Sequence, residues 1–165
     1  MNGYRPFRPP YDRVRGCLRL GLDRPEIGPR HKVAPGGEVL QAGPLLVADG
    51  RRVVADTDPE GFSSTRDEFD QDLTAERLPR MAIALTATGE WLAVAVDGRA
   101  PDEARLFLGE FGDLLVGLGA HDALNLDGGS SSALVAGGVM RNTPRDDEGN
   151  ALGAAGPTTS AIVFA

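Results

Sequence analysis

The sequence predicts a single α+β domain of α/β-like character, with a mixed β-sheet that includes hairpins and one strand–helix–strand unit, the site lying at the carboxyl ends of the strands. Three observations carry that prediction. Two pairs of short apolar runs are each joined by turn chemistry, at Asp49-Gly50 and at Ala87-Thr88-Gly89-Glu90. Residues 102–118 carry apolar side chains at helical spacing. That stretch lies between two apolar runs, 91–96 and 123–126, each of which ends in Asp-Gly.

Taken in order, the first thirty or so residues are rich in Pro and Arg, with one apolar alternation at Cys17-Leu18-Arg19-Leu20-Gly21-Leu22 that reads as an edge strand. Pro44 to Val54 places Asp-Gly between two apolar runs, the chemistry of a two-residue hairpin turn. From about Ala55 to Pro79 the chain is polar and acidic, and reads as a long surface excursion. Met81–Thr86 and Trp91–Val96 then form a hairpin of two buried strands. The helix follows, with Ala104, Phe107, Leu108, Phe111, Leu114, Leu115 and Leu118 on one face. Asp102 and Glu103 suit its positive end and Gly119 its C-terminal cap. Short strands at 123–126, 133–135 and 160–164 complete the chain, which is read as one domain over 1–165.

The order strand 91–96, helix 102–118, strand 123–126 calls for parallel strands with a right-handed crossover. Asp97-Gly98-Arg99 then leaves one strand, and Asp127-Gly128-Gly129 the other, at the same edge of the sheet. Ligands in open α/β sheets bind at that edge.

Composition narrows the function. The chain has 165 residues, 41% hydrophobic and 25% charged, as in folded domains that bury a core. A net charge of −7 argues against nucleic acid as partner, since phosphate backbones attract positive surfaces. One cysteine, Cys17, excludes an internal disulfide, and two histidines, His31 and His121, cannot make a His-rich metal centre. No metal and no cofactor is expected, and His121 is given no role. No run approaches the roughly 20 apolar residues that span a bilayer. The N-terminus lacks the apolar core of a signal peptide, which predicts a cytoplasmic chain as written, or an exported one if trimmed.

The segment richest in chemistry is Asn125-Leu126-Asp127-Gly128-Gly129-Ser130-Ser131-Ser132. Its glycines permit a sharp turn and close approach to a ligand, its amides can line an anion-holding concavity, and its hydroxyls add donors for sugar or phosphate oxygens. The plainer alternative is a polar strand-to-strand turn. It fits neither the Gly-x-Ser-x-Gly nucleophile elbow nor the phosphate loop of nucleotide hydrolases, which needs Gly-Lys-Ser/Thr opening a helix.

Together with Leu78-Pro79-Arg80-Met81-Ala82-Ile83, Val96-Asp97-Gly98-Arg99, Leu118-Gly119-Ala120 and Gln41-Ala42-Gly43-Pro44-Leu45, this segment resembles the phosphodiester glycosidase family over residues 41–142. That family includes the uncovering enzyme, which removes N-acetylglucosamine from mannose-6-phosphate diesters, and bacterial members associated with exopolysaccharide biosynthesis. The chain departs from the family pattern at Ser130 and Ala84, where glycine is usual, and in 148–159, where a Gly-Glu-Arg segment is usual. The family pattern also has more chain upstream.

The resemblance implies hydrolysis of a sugar-1-phosphodiester, of N-acetylglucosamine type, without an obligatory metal. A small sugar phosphodiester or glycan is then the expected partner. Asp127 is the implied base or nucleophile and Asp97 the second carboxylate; as Asp-Gly pairs both also suit plain turns. Arg80 and Arg99 are the implied phosphate ligands, because a planar guanidinium meets two phosphate oxygens at once. Asn125, Gly128, Gly129, Ser130, Ser131, Ser132 and Asn142 complete the implied substrate-binding set, with Arg141 a weaker candidate. Asp146-Asp147-Glu148 with Asn150 lacks EF-hand spacing and reads as a solvated acidic turn. The competing reading is a carbohydrate- or phosphate-binding domain that has lost turnover.

Overall fold

The structure, a computed structural model, describes residues 15–20, 24–33, 37–54, 60, 77–146, 148–154 and 161–164. The expectations for the Pro- and Arg-rich residues 1–14, Leu22, most of the 55–79 excursion, Asp147 and the 155–160 part of the C-terminal segment fall outside them.

The α+β class stands. Three layers are stacked. In the middle is a five-stranded sheet of β4 (Leu45–Ala48), β5 (Arg51–Arg52), β6 (Arg80–Thr86), β7 (Trp91–Val96) and β8 (Ala120–Asn125), in spatial order β5-β4-β8-β6-β7. A helix, α1 (Leu108–Gly117), covers one face. On the other lies a small sheet in which β1 (Gly16–Leu20) pairs with β2 (Glu26–Pro29) and β3 (Glu38–Gln41). A short ribbon of β9 (Val135–Ala136) and β10 (Val139–Met140) follows the Gly/Ser loop.

β6 shows why its sequence is a continuous apolar run. Side chains alternate across a strand, so Ala82 and Ala84 face Leu108, Phe111 and Leu115 of the helix, while Ile83 and Leu85 face Leu18 and Ile27 of the small sheet. Burial on both faces removes the polar alternation. The helix lies close because Gly112 carries no side chain; a Cβ there would stand 3.0 Å from Arg52 Cγ and 3.4 Å from the Leu46 carbonyl. The buried Phe111 and Leu115 side chains each contribute about 1.5–3 kcal/mol of transfer free energy. Glu60 ties the two sheets together, its two carboxylate oxygens accepting the N–H groups of Gly16 and Leu45, both at 2.7 Å.

β7 and β8 are each antiparallel to β6, so they run in the same direction on either side of it. The strand–helix–strand unit is therefore present, with β6 inserted between its strands, and every described pairing is antiparallel.

Four local expectations are corrected. The described part of the 17–22 stretch lies in β1, the central strand of its sheet, because β2 and β3, too short to stand out in the sequence, flank it. The helix begins at Leu108, not 102: Arg105 takes φ 44°, and Leu106 exchanges backbone hydrogen bonds with Leu78, which holds 102–107 out of helical geometry. Glu110, not Asp102 or Glu103, then sits in the first turn and accepts the Phe107 N–H at 3.0 Å. The 133–135 strand is the two-residue β9. The described part of the final strand, 161–164, is irregular, and Phe164 packs edge-on against Trp91 with ring centroids 5.4 Å apart.

Candidate active site

The topology sets the site. β7 ends at Val96, β8 ends at Asn125 and β6 begins at Arg80, all at one edge of the central sheet. Asp97-Gly98-Arg99, Asp127-Gly128-Gly129 and Pro79-Arg80 therefore emerge side by side. The glycines make the approach possible. A Cβ on Gly98 would stand 3.1 Å from Pro79 N, and one on Gly128 would stand 2.8 Å from the Pro79 carbonyl, too close for any side chain. Arg99 lies against the Gly/Ser loop, its Nη2 3.2 Å from the position a Gly129 Cβ would take.

The loop is a single turn of 3₁₀ helix, Gly129–Ser131. The N–H groups of Gly129, Ser131 and Ser132 donate to the carbonyls of Pro79, Gly128 and Gly129 at 3.2–3.3 Å. Three of the amides expected to face an anion are thus committed within the protein. The Asp127 side chain is exposed beside them. Ser130 and Ser131 are half-buried, whereas Ser132 is buried and its Oγ has no hydrogen-bond partner among the described residues. Asn125 is buried at the end of β8, where its Nδ2 donates to the Gly43 carbonyl at 3.2 Å and its Oδ1 has no described partner.

Asp97 is used differently from Asp127. Both its oxygens accept the Thr143 N–H, at 2.9 and 3.0 Å, and Oδ1 also accepts from Asn142 Nδ2 at 3.3 Å. Asn142 is satisfied on every side: Nδ2 donates to the Ser132 carbonyl at 2.8 Å, and Oδ1 accepts the Leu134 N–H at 2.8 Å. The ribbon that leaves the loop at Ser132 is thereby fastened to the end of β7. Arg80 is 1% exposed, with Nε donating to the Leu106 carbonyl at 2.9 Å. It is buried at the start of β6, whereas Arg99 is half-buried against the Gly/Ser loop. Arg141 is exposed and donates through Nε to the Ala136 carbonyl at 3.2 Å.

Two organisers were not legible as such. Glu103 bonds the N–H groups of Arg99 and Ala100 through Oε2, at 2.7 and 2.9 Å, and pairs with Arg145 through Oε1 at 2.6 Å. Arg145 in turn donates to the Gly149 carbonyl at 3.1 Å. The spacing of four between Glu103 and Arg99 is the signal the sequence carries, but Glu103 also fits the start of the helical pattern. The Asp146 carboxylate serves its own turn, bonding the Asn150 N–H at 2.8 Å and Nδ2 at 3.0 Å. No helix among the described residues is long and apolar enough to cross a membrane.

An exposed carboxylate on a glycine turn thus shares one edge of the sheet with a half-buried guanidinium, Arg99, and a buried one, Arg80. A family model described as phosphodiester glycosidase matches residues 21–164. The chain belongs to that family, a family of hydrolytic enzymes. Among solved structures, the catalytic domain of zebrafish N-acetylglucosamine-1-phosphodiester alpha-N-acetylglucosaminidase, auto-inhibited by its pro-peptide, superposes with a TM-score of 0.62 at 19% identity, covering 81% of this chain and 46% of that one. A Burkholderia pseudomallei protein named as a candidate exported protein gives a TM-score of 0.52 at 29% identity, over 67% of this chain and 23% of that one. The chain thus spans less than half the length of these structures. No curated protein matches.

Proposed function

We propose that this chain hydrolyses a sugar-1-phosphodiester, with an N-acetylglucosamine-type sugar as the favoured glycosyl group. The observation that supports it most is the contrast between two carboxylates at one sheet edge: Asp127 is exposed, while Asp97 has both oxygens engaged by Thr143. Glycosidases ordinarily use two carboxylates, one of them as acid for the leaving oxygen. A phosphate monoester departs as a stable anion, so that acid is dispensable, and one available carboxylate suits this substrate.

In the proposed reaction Asp127 takes a proton from water, whose oxygen attacks the anomeric carbon. The bond from that carbon to the phosphate oxygen breaks, and its electron pair leaves with the phosphate monoester. Arg99 meets the phosphate at the rim, and the buried charge of Arg80 supports it from below. Ser130, Ser131, Gly128 and Gly129 line the approach, and Asn125 and Ser132, buried at the two ends of that loop with no described partner for Oδ1 and Oγ, back it as the inner polar groups of the proposed sugar site. Asn142 and Asp97 hold the loop.

The test is sugar release from a synthetic N-acetylglucosamine-1-phosphodiester, followed beside binding of the same compound. Release supports the enzyme. Binding without release favours the second reading, a ligand-binding domain, which the departures at Ser130 and in 148–159 motivate.

A further inference from the structure

β8 opens, at the end of the central sheet opposite the Gly/Ser loop, with Ala120-His121-Asp122. Thr86 pairs with Ala120 and Leu85 with Asp122, so His121 is the extra residue of a β-bulge. In a regular strand His121 and Asp122 would point to opposite faces. A bulge re-aims a side chain, and here His121 Nδ1 lies 2.8 Å from Asp122 Oδ2. The β4–β5 turn supplies a third group. Asp49 donates its N–H to Asp122 Oδ1 at 3.3 Å, and Gly50 donates its N–H to the His121 carbonyl at 2.8 Å. One ligand atom from each of Asp49, His121 and Asp122 lies within 4.8 Å of the other two.

We propose that Asp49, His121 and Asp122 bind a divalent transition ion of the zinc class. The donor set argues for that ion. An imidazole nitrogen with carboxylate oxygens suits zinc, whereas magnesium keeps its water and prefers oxygen alone. Two carboxylates balance the charge of a divalent cation, and three protein ligands leave a fourth tetrahedral position for water. The acidic chain, at −7, draws cations toward it. All three side chains are partly or fully exposed, so the ion has access and room to draw them together. The bound ion fastens the β4–β5 turn to the start of β8, at the far end of the strand from Asn125 and Asp127.

The test is calorimetric titration of the full chain with Zn²⁺ at neutral pH, with Mg²⁺ in parallel. The wild type is compared with His121→Ala, Asp122→Asn and the more exposed Asp49→Asn, and His31→Ala serves as control. The expected result is one Zn²⁺ per chain, weakened at least about tenfold by each of the three substitutions and unchanged by His31→Ala. Absence of saturable Zn²⁺ binding, wild-type affinity in the three variants, or Mg²⁺ binding as tight as Zn²⁺ overturns the proposal. Should Asp122→Asn fail to fold, His121→Ala and Asp49→Asn decide the result.

Discussion

The carboxylate of Asp97 holds the backbone N–H of Thr143 with both oxygens, at 2.9 and 3.0 Å, across a sequence separation of 46. That bond joins the end of β7 to the return of the β9–β10 ribbon, and through Asn142 it reaches the Ser132 carbonyl. On that geometry Asp97 is proposed as a positioning residue. Asp97→Asn keeps an oxygen for Thr143 but loses the charge, and charge-assisted hydrogen bonds are about twice as strong as neutral ones. The expected outcome is a lower melting temperature with kcat reduced less than about tenfold, well short of a lost general base. An unchanged melting temperature with kcat reduced as far as in an Asp127 variant would make Asp97 a reacting group.

The two arginines are expected to separate. Arg99 stands at the rim, so Arg99→Ala should raise KM for a phosphodiester about tenfold or more, the weight of one charged hydrogen bond, and leave a neutral aryl glycoside little affected. Arg80 is buried and bonded to Leu106. Arg80→Ala should cost about 1–3 kcal/mol of stability by stranding that carbonyl. Steady-state kinetics on both substrates, with thermal melts, check the pair; equal KM effects on the two substrates would remove Arg99 from the phosphate role.

Glu103 gives a pH signature. Burial raises the pKa of its carboxyl, but the N–H groups of Ala100 and Arg99 and the Arg145 guanidinium outweigh that and hold it below the ordinary value. A depressed folded-state pKa means stability that is present above the unfolded value, near 4.3, and is lost as pH falls through the folded one. The gap in melting temperature between wild type and Glu103→Gln should therefore be widest above about pH 5 and close below that range. A gap constant down to the acid limit would deny the ionised Glu103 its role in the 97–100 turn.

Much of the central sheet was legible because its signals are local. Asp49 and Gly50 take φ 51° and 70° in the β4–β5 turn, the conformation that Asp-Gly favours. The β6–β7 hairpin follows from two apolar runs and a turn, and Gly119, at φ 91°, ends the helix region as read. What the sequence hid is set by distant partners. Leu78 meets Leu106 and pushes the helix start to Leu108. β2 and β3 are too short to announce themselves, and Glu60 clips two sheets from within a polar stretch.

The same division applies to the site. That Asp97 and Asp127 leave neighbouring strand ends could be read from element order. That Thr143 engages Asp97, or that Arg80 is buried under Leu106, could not, because each depends on a contact between segments far apart in sequence.

The proposed chemistry depends on the Asp127 carboxylate, and one substitution isolates it. Asp127→Asn keeps the size and most hydrogen-bonding capacity of the side chain but removes the charge that a base or nucleophile needs. The residue is exposed, and the turn amides of Gly129, Ser131 and Ser132 bond backbone carbonyls. The fold should therefore not depend on it. The measurement is turnover of an N-acetylglucosamine-1-phosphodiester beside the melting temperature of the same preparation. The expected outcome is a wild-type melting temperature with turnover reduced at least about 10²–10⁴-fold. A folded Asp127→Asn protein that releases sugar at a near-normal rate would contradict it.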